Sequence, residues 1–164
     1  MEFIKELPKD EVHVHIERTI EAEQILEVAK RNNIQIAFKN INEAKKAYNF
    51  SNLESFLKIY YEGAKVLIKE QDFFDLTWAY ALKCKEDNIV HAEIFFDPQT
   101  HTKRGINFDI VINGIYKALQ KAQKEFGLSF KIIMCFLRHL DEEVGLKILD
   151  QALAHKDKIY GVGL

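Results

Sequence analysis

The spacing of apolar and polar residues divides the chain into segments with a strand period and segments with a helix period. Residues 12–16 alternate between apolar and polar side chains, which predicts a short strand. Residues 89–96 and 132–137 are short apolar runs that predict two further strands. The second of these runs is apolar on both faces, which is typical of a strand covered on both sides in a parallel sheet. A fourth strand is predicted from residue 159 onward.

Between these strands the apolar residues recur at helical spacing. Residues 53–68 and 109–126 each place their apolar side chains on one stripe of a helix. Ser51 and Glu54 have the spacing of a capping box at the start of the first of these helices. Three further helices are predicted to begin after residues that commonly cap helices, and these residues are Thr19, Asp72 and Asp141.

The predicted order is one strand, several helices, and then strand, helix, strand, helix and strand. Helical crossovers of this kind are right-handed and give a parallel sheet, either an open doubly wound sheet or a barrel. A complete (β/α)₈ barrel takes about 250 residues, whereas this chain has 164. We therefore predict an α/β fold that is a partial TIM barrel, with about the first four βα units and extra helices after strand 1. Residues 1–164 would form the N-terminal part of a single barrel domain.

Composition narrows the class of protein. With 48% hydrophobic and 29% charged residues, the chain can form a folded core. A formal net charge of −2 gives no electrostatic reason to expect nucleic acid or an anionic membrane as a partner, and no apolar run is long enough for a membrane span. Only Cys84 and Cys135 are present, which excludes a disulfide framework and favours a reducing compartment, the cytoplasm.

Candidate chemistry begins with His13 and His15 on the first predicted strand. Residues two apart on a strand point to the same face, so the two imidazoles can converge on one metal ion, and neutral imidazole suits zinc. Two unrelated histidines would show the same spacing. Active sites of (β/α)₈ barrels lie at the carboxyl ends of the strands, which favours the metal interpretation.

Three other polar groups lie on or directly after predicted strands. His91 and Glu93 form half of a zinc deaminase signature whose other half, P-C-x-x-C, is absent, so they fit inward-facing barrel residues better. The loop at residues 97–102 and the pair Arg138 and His139 follow the second and third strands. Such loops carry function or simply turn the chain, and the sequence leaves both open.

Several longer motifs together resemble those of the adenosine and adenine deaminases, a family of metal-dependent aminohydrolases. They are L-P-K-D-E-V-H-V-H-I-E at residues 7–17, F-F-D-P-Q-T-H-T-K-R-G-I at 95–106, C-F-L-R-H-L at 135–140 and G-V-G-L at 161–164. The similarity extends over essentially the whole chain, and the run at 95–106 is most similar to the bacterial and fungal adenine deaminase branch.

The resemblance implies hydrolytic deamination of adenine or adenosine at C6, giving hypoxanthine or inosine and ammonia. One zinc ion would lower the pKa of a bound water so that hydroxide forms near neutral pH. His13 and His15 correspond to the first two metal ligands, and Glu17 corresponds to a substrate-binding carboxylate. The implied partner is the small purine substrate, with no nucleic acid and no membrane.

The sequence also departs from the family pattern. The third histidine ligand, the catalytic glutamate of an H-A-G-E motif and the aspartate of an S-D-D motif do not occur here, and we expect them beyond Leu164. Arg18 replaces a glycine of the family, and Ala22 replaces a proline. Because a catalytic zinc site normally has three protein ligands, the chain is expected to be inactive alone.

Two alternatives stay open at this point. The chain could be a non-catalytic remnant or split subunit that associates with a complementary half-barrel or with itself. It could also be an unrelated open α/β binding module.

Overall fold

The computed structural model describes residues 2–164 of the chain. The strands of one sheet are β1 Lys9–His15, β2 Ile89–Phe96, β3 Ser129–Cys135 and β4 Gly161–Gly163. The helices are α1 Glu2–Glu6, α2 Ala22–Asn32, α3 Ile41–Ala47, α4 Leu53–Val66, α5 Glu70–Glu86, α6 Pro98–Thr102, α7 Phe108–Phe126 and α8 Glu142–Leu153. A 3₁₀ turn at Ile16–Thr19 follows β1 directly.

The sheet has the order β1-β2-β3-β4, and each neighbouring pair is parallel. The predicted parallel α/β architecture and the extra helices after the first strand are therefore confirmed. Because all strands run the same way, their carboxyl ends meet at one edge. There His15 lies beside Phe95, and Phe95 lies beside Ile133.

One face of the sheet packs against α5 and α7 and forms the core. Alternate β2 residues Ala92, Ile94 and Phe96 are fully buried on this face. Helix α7 contributes its predicted apolar stripe, which includes Val111, Ile115, Ala118, Leu119 and Ala122, all fully buried. Gly114 lets α5 and α7 approach closely, since a Cβ atom there would lie 2.5 Å from the Glu70 carbonyl oxygen.

The opposite face of the sheet, which we call the inner face, is only partly covered. The prediction that the third strand is buried on both sides is wrong for this reason: Ile132 and Met134 are buried on the helix side, whereas Ile133 is half-buried on the inner face. A sheet that covers one face with helices leaves its other face to line an interior, as a barrel strand does.

Local capping differs from the sequence prediction at two helices. Thr19 does not cap α2, because its hydroxyl donates to the Ile16 carbonyl oxygen (2.8 Å) and closes the 3₁₀ turn instead. Asn52, one residue after the predicted cap, begins α4 and forms a reciprocal capping box with Ser55. Caps depend on the path of the incoming chain, which residue spacing alone does not define.

The predicted start of α5 is also wrong by several residues. Helix α5 begins at Glu70, so Asp72 lies inside its first turn, where it accepts hydrogen bonds from the Ile68 and Lys69 amides. The short helices α1, α3 and α6 were not predicted, because five to seven residues carry too little periodicity to identify a helix. None of the described helices is long and apolar enough to cross a membrane.

Candidate metal and substrate site

Polar side chains gather where β1 and β2 end. The 3₁₀ turn after β1 is anchored by Ile16, which is fully buried in the core, and this anchoring brings Glu17 under the end of β2. Helix α6 starts immediately after β2 with Pro98 at its first position, where a missing N–H costs nothing. Asp97 and His101 are thereby held beside the end of β1.

The structure brings the rings of His13 and His15 together on the inner face. Their centroids are 5.6 Å apart, and both rings contact Phe95, at 4.3 Å and 5.5 Å respectively. His13 is exposed, whereas the His15 side chain is 19% exposed. The two imidazoles therefore lie side by side at the edge where the resemblance assigns the first metal ligands.

Asp97 fixes which nitrogen of His15 is free. His15 Nδ1 lies 3.3 Å from Asp97 Oδ2, and the Tyr60 hydroxyl donates to the same oxygen at 2.9 Å. A carboxylate accepts, so Nδ1 carries the proton and Nε2 retains the lone pair that binds a metal ion. The carboxylate–histidine pair is the arrangement that commonly orients a metal-binding imidazole.

The environment keeps Asp97 ionised. Burial by itself would raise the pKa of the Asp97 carboxyl, but the hydrogen bonds from His15 and Tyr60 outweigh it, and the pKa lies below its ordinary value. The positive charge of Arg18 acts in the same direction. Burial, with the charges of Glu17 and Asp97, raises the pKa of the Tyr60 hydroxyl, so that it remains a donor at neutral pH.

Glu17 is a fully buried carboxylate with an unequal environment at its two oxygens. Oε1 accepts from the Asp97 amide at 2.8 Å and lies 3.3 Å from His101 Nε2. Oε2 has no hydrogen-bond partner among residues 2–164. A buried acceptor without a donor is costly in a folded protein, so Oε2 marks a position suited to a donor from a bound molecule.

His101 lies between Glu17 and Arg104, and Arg104 contacts the end of α4. The His101 side chain is fully buried, its ring packs edge-on against Phe73 at 4.8 Å, and its Nδ1 lies 2.9 Å from Arg104 Nη2. Arg104 in turn donates to the Ala64, Lys65 and Leu67 carbonyl oxygens at the end of α4.

Arg18 lies beside this group, next to an aromatic cavity of about 150 Å³ whose wall also includes Glu17. The guanidinium carbon of Arg18 is 5.1 Å from the Phe56 ring centroid and 5.9 Å from that of Tyr60. Both distances allow a cation–π contact. The residue that replaces a family glycine therefore adds a positive charge at the edge of the candidate site.

Sequence reasoning missed Tyr60 and Cys135 as members of this group. Donor atoms of His15, Asp97 and Cys135 lie within 4.8 Å of one another, a set that could form part of a metal site. Burial raises the pKa of the Cys135 thiol to about 12, and the charges of Asp97 and Glu17 add to that effect. Cys135 is the last residue of β3. Its position near the carboxyl end of a predicted strand was the feature of the sequence that could have identified it as a site residue.

Other candidates lie apart from the group. His91 hydrogen-bonds Ser129 at 2.9 Å where β3 begins, which is the opposite end of the sheet, and Glu93 is half-buried two residues further along β2. Arg138 and His139 are exposed in the turn after β3. His91 thus lies away from the site, and among the described residues the structure shows no contact that brings Arg138 or His139 into it.

Comparison with known proteins places this arrangement in a family. Residues 8–164 match the family described as adenosine deaminase. The chain is 59% identical over 163 residues to the adenine deaminase of Acinetobacter baylyi, covering 99% of this chain and 49% of that protein. It is 57% identical over 163 residues to the adenine deaminase of Wolinella succinogenes, with the same coverages of 99% and 49%.

A solved structure gives the same relationship in three dimensions. The crystal structure of adenine deaminase from Arthrobacter aurescens superposes with a TM-score of 0.91 at 42% identity, covering 96% of this chain and 48% of that one. The predicted partial barrel is thereby confirmed, and the chain spans about half the length of the relatives it matches. A sequence match from residue 8 to 164 together with this likeness of fold shows that the chain belongs to the adenosine deaminase family.

Proposed function

We propose that this chain supplies the first half of a zinc-dependent purine deaminase site. The proposal rests above all on one observation: the rings of His13 and His15 lie side by side at the carboxyl end of β1, and Asp97 leaves Nε2 of His15 free. The substrate would be adenine, because the relatives with 59% and 57% identity are adenine deaminases. Adenosine is the alternative, because the family is described as adenosine deaminase.

The donor chemistry of the site fits zinc. His13 and His15 would hold the ion through neutral imidazoles, and Asp97 supplies the outer hydrogen bond that such ligands usually make. When bound, zinc supplies a water whose pKa is lowered enough for hydroxide to attack the C6 carbon of a purine. A catalytic zinc normally has three protein ligands, so the histidine pair forms an incomplete set.

Glu17 would bind the substrate. Its Oε2 is a buried acceptor with no partner among the described residues, and a purine base presents N–H donors of the kind such an oxygen requires. The cavity lined by Phe56 and Tyr60 adds an aromatic wall beside it. In this assignment the chain binds and orients the base, and it has no counterpart of the H-A-G-E glutamate among its 164 residues.

Zinc binding tests the metal assignment directly. We expect the purified chain to bind one zinc ion, and we expect His13→Ala and His15→Ala each to weaken binding at least tenfold. His139→Ala is the matched control, since His139 is exposed in the turn after β3 and is not one of the paired imidazoles, so its loss should leave affinity unchanged. Equal zinc affinity in all three variants, measured by calorimetry with metal analysis, would contradict the assignment.

A second role follows from the sheet. β1 and β4 each pair on one side only within residues 2–164, and the exposed side chains of Val12 and Val162 lie on these two strands. A complementary half-barrel that pairs with both strands would close the sheet, and the chain would act as one subunit of a split enzyme or as a non-catalytic binding partner.

Reconstitution separates these roles. The chain can be mixed with the second half of the Acinetobacter baylyi adenine deaminase, and ammonia release from adenine can be measured. We expect each part to be silent alone and the mixture to be active. A mixture that forms a complex without activity would support the non-catalytic role, and deamination by this chain alone would overturn the division of residues proposed above.

A further inference from the structure

The contacts around Glu17 extend two residues beyond the groups that the proposed function uses. His101 lies on α6 and Arg104 follows that helix, and together they form a line of contacts from α4 to Glu17. The His101 side chain is fully buried, so any effect of His101 on a ligand passes through Glu17, and any effect of Arg104 on Glu17 passes through His101.

The protonation state of His101 follows from its neighbours. A guanidinium has donors but no acceptor, so the nitrogen that faces it, Nδ1 at 2.9 Å from Arg104 Nη2, has to accept. The single ring proton then lies on Nε2, the nitrogen that faces Glu17 Oε1 at 3.3 Å.

Several hydrogen bonds fix the position of the Arg104 side chain. Its guanidinium donates to four backbone carbonyl oxygens, three at the end of α4 and that of Thr100 on α6. Carbonyls at a helix end lack intrahelical partners, so these bonds satisfy α4 as well as fixing the side chain. The two N–H groups of Nη2 serve the Ala64 and Leu67 carbonyl oxygens as well as His101 Nδ1, so one of them is shared between two acceptors.

We propose that His101 and Arg104 are positioning residues for Glu17: Arg104 holds His101 in the Nε2–H tautomer, and His101 then holds Glu17 Oε1 so that Oε2 stays directed at the ligand. With Oε1 occupied by two donors, Oε2 is the acceptor left for an N–H of a purine base. The inference rests on the proposed function for the identity of that ligand, but not for the tautomer.

The tautomer is measurable without any ligand. Long-range ¹⁵N–¹H spectra of the histidine-labelled chain at neutral pH distinguish protonated from unprotonated ring nitrogens, and His101→Gln identifies the His101 signals by their loss. We expect Nδ1 unprotonated and Nε2 protonated. An Nδ1–H tautomer or a doubly protonated ring would overturn the proposal.

Arg104 variants test the cause of that tautomer. In Arg104→Leu we expect the Nδ1 signal to shift, because Nδ1 loses the Arg104 donor at 2.9 Å while the Glu17 contact at Nε2 remains. Arg104→Lys retains a cationic donor and should keep the wild-type signal. An unchanged signal in Arg104→Leu would show that Arg104 does not position His101.

Ligand binding separates positioning from packing. Leu and Gln both fill space against Phe73, but only Gln can donate to Glu17. In the presence of zinc we expect His101→Leu to bind adenine about 10- to 100-fold more weakly and His101→Gln to stay close to wild type. Equal loss in both variants would overturn the proposal. If the wild-type chain binds no adenine, the proposed function fails, and the tautomer still decides this inference.

Discussion

Two fully buried carboxylates in this chain have opposite environments. Asp72, between α4 and α5, accepts from Arg31 on Oδ1 and from Asn32 and two backbone amides on Oδ2. Glu17, at the carboxyl end of the sheet, has two donors on Oε1 and none on Oε2 among residues 2–164. Burial of charge is costly in both places, but only at Asp72 is the cost offset by a complete set of donors.

If the proposed function is right, this difference separates a structural carboxylate from a ligand-binding one. Asp72 connects α2, the α4–α5 junction and the first turn of α5, so its donors all come from elements that must pack together. At Glu17 the fold supplies donors to Oε1 only, and in the proposed function a bound ligand supplies the donor for Oε2.

The largest effect should come from removing the satisfied carboxylate. Asp72→Ala leaves two backbone amides and one N–H of the Asn32 side chain without an acceptor, and we expect a loss of about 3 kcal/mol of unfolding free energy. Asp75→Ala is the control, because Asp75 also pairs with Arg31 but is only half-buried. Urea unfolding measures both. A loss below about 1 kcal/mol for Asp72→Ala would remove the structural half of the comparison.

Neutralising Glu17 should change the stability of the chain little and its affinity for adenine strongly. Glu17→Gln keeps an oxygen for its two donors, so we expect a change in unfolding free energy within about 1 kcal/mol. Adenine affinity in the presence of zinc should fall about tenfold or more, because the charged acceptor is lost. Glu93→Gln, a half-buried carboxylate in the middle of β2, controls for charge. Large destabilisation with unchanged adenine affinity would show that Glu17 is structural.

The charge of Arg18 should affect metal binding at the candidate site. Its guanidinium is near enough to lower the pKa of Asp97 and to oppose the rise at Cys135, so it should also oppose a divalent cation at His15. We expect Arg18→Gly to raise zinc affinity a few-fold, by about 0.5 to 1 kcal/mol. Arg18→Lys keeps the charge and should behave as wild type. Calorimetry that finds the same gain in both variants would attribute the effect to bulk.

The effect that is smallest at neutral pH concerns an uncharged group, Tyr48, whose hydroxyl donates to the Ile20 carbonyl oxygen. Burial, followed by the charges of Glu21 and Glu23, raises the pKa of Tyr48 to about 12 from 10.0. The folded state therefore holds this proton more tightly than the unfolded state does. Its contribution to stability is complete below the unfolded pKa and is lost as the pH rises from 10 toward 12.

The measurement is the pH dependence of unfolding. Wild type should lose more stability than Tyr48→Phe over this alkaline range, while the two curves should run parallel at lower pH. The difference cancels the titration of lysines and other tyrosines, which both proteins share. Parallel curves throughout would show that Tyr48 titrates normally in the folded chain.

The sequence predicted the repeating framework well. The period of the apolar residues located the four strands and the long helices, since burial of one face requires that periodicity wherever a helix or strand packs. The prediction was less accurate for the caps of α2 and α4 and for the start of α5. Several neighbouring polar residues could cap each of these helices, and the path of the incoming chain determines where the helix begins.

What the sequence by itself determined is the parallel α/β order, the two histidines on one strand face and the candidate carboxylate Glu17, because these follow from local spacing and from motifs. Only the tertiary structure decided that Asp97 bonds His15, that His101 bonds Glu17, and that Glu17 Oε2 is left without a donor. These pairs are 82 and 84 residues apart. Contacts over such separations arise from how parallel strands align their carboxyl ends, which no local pattern encodes.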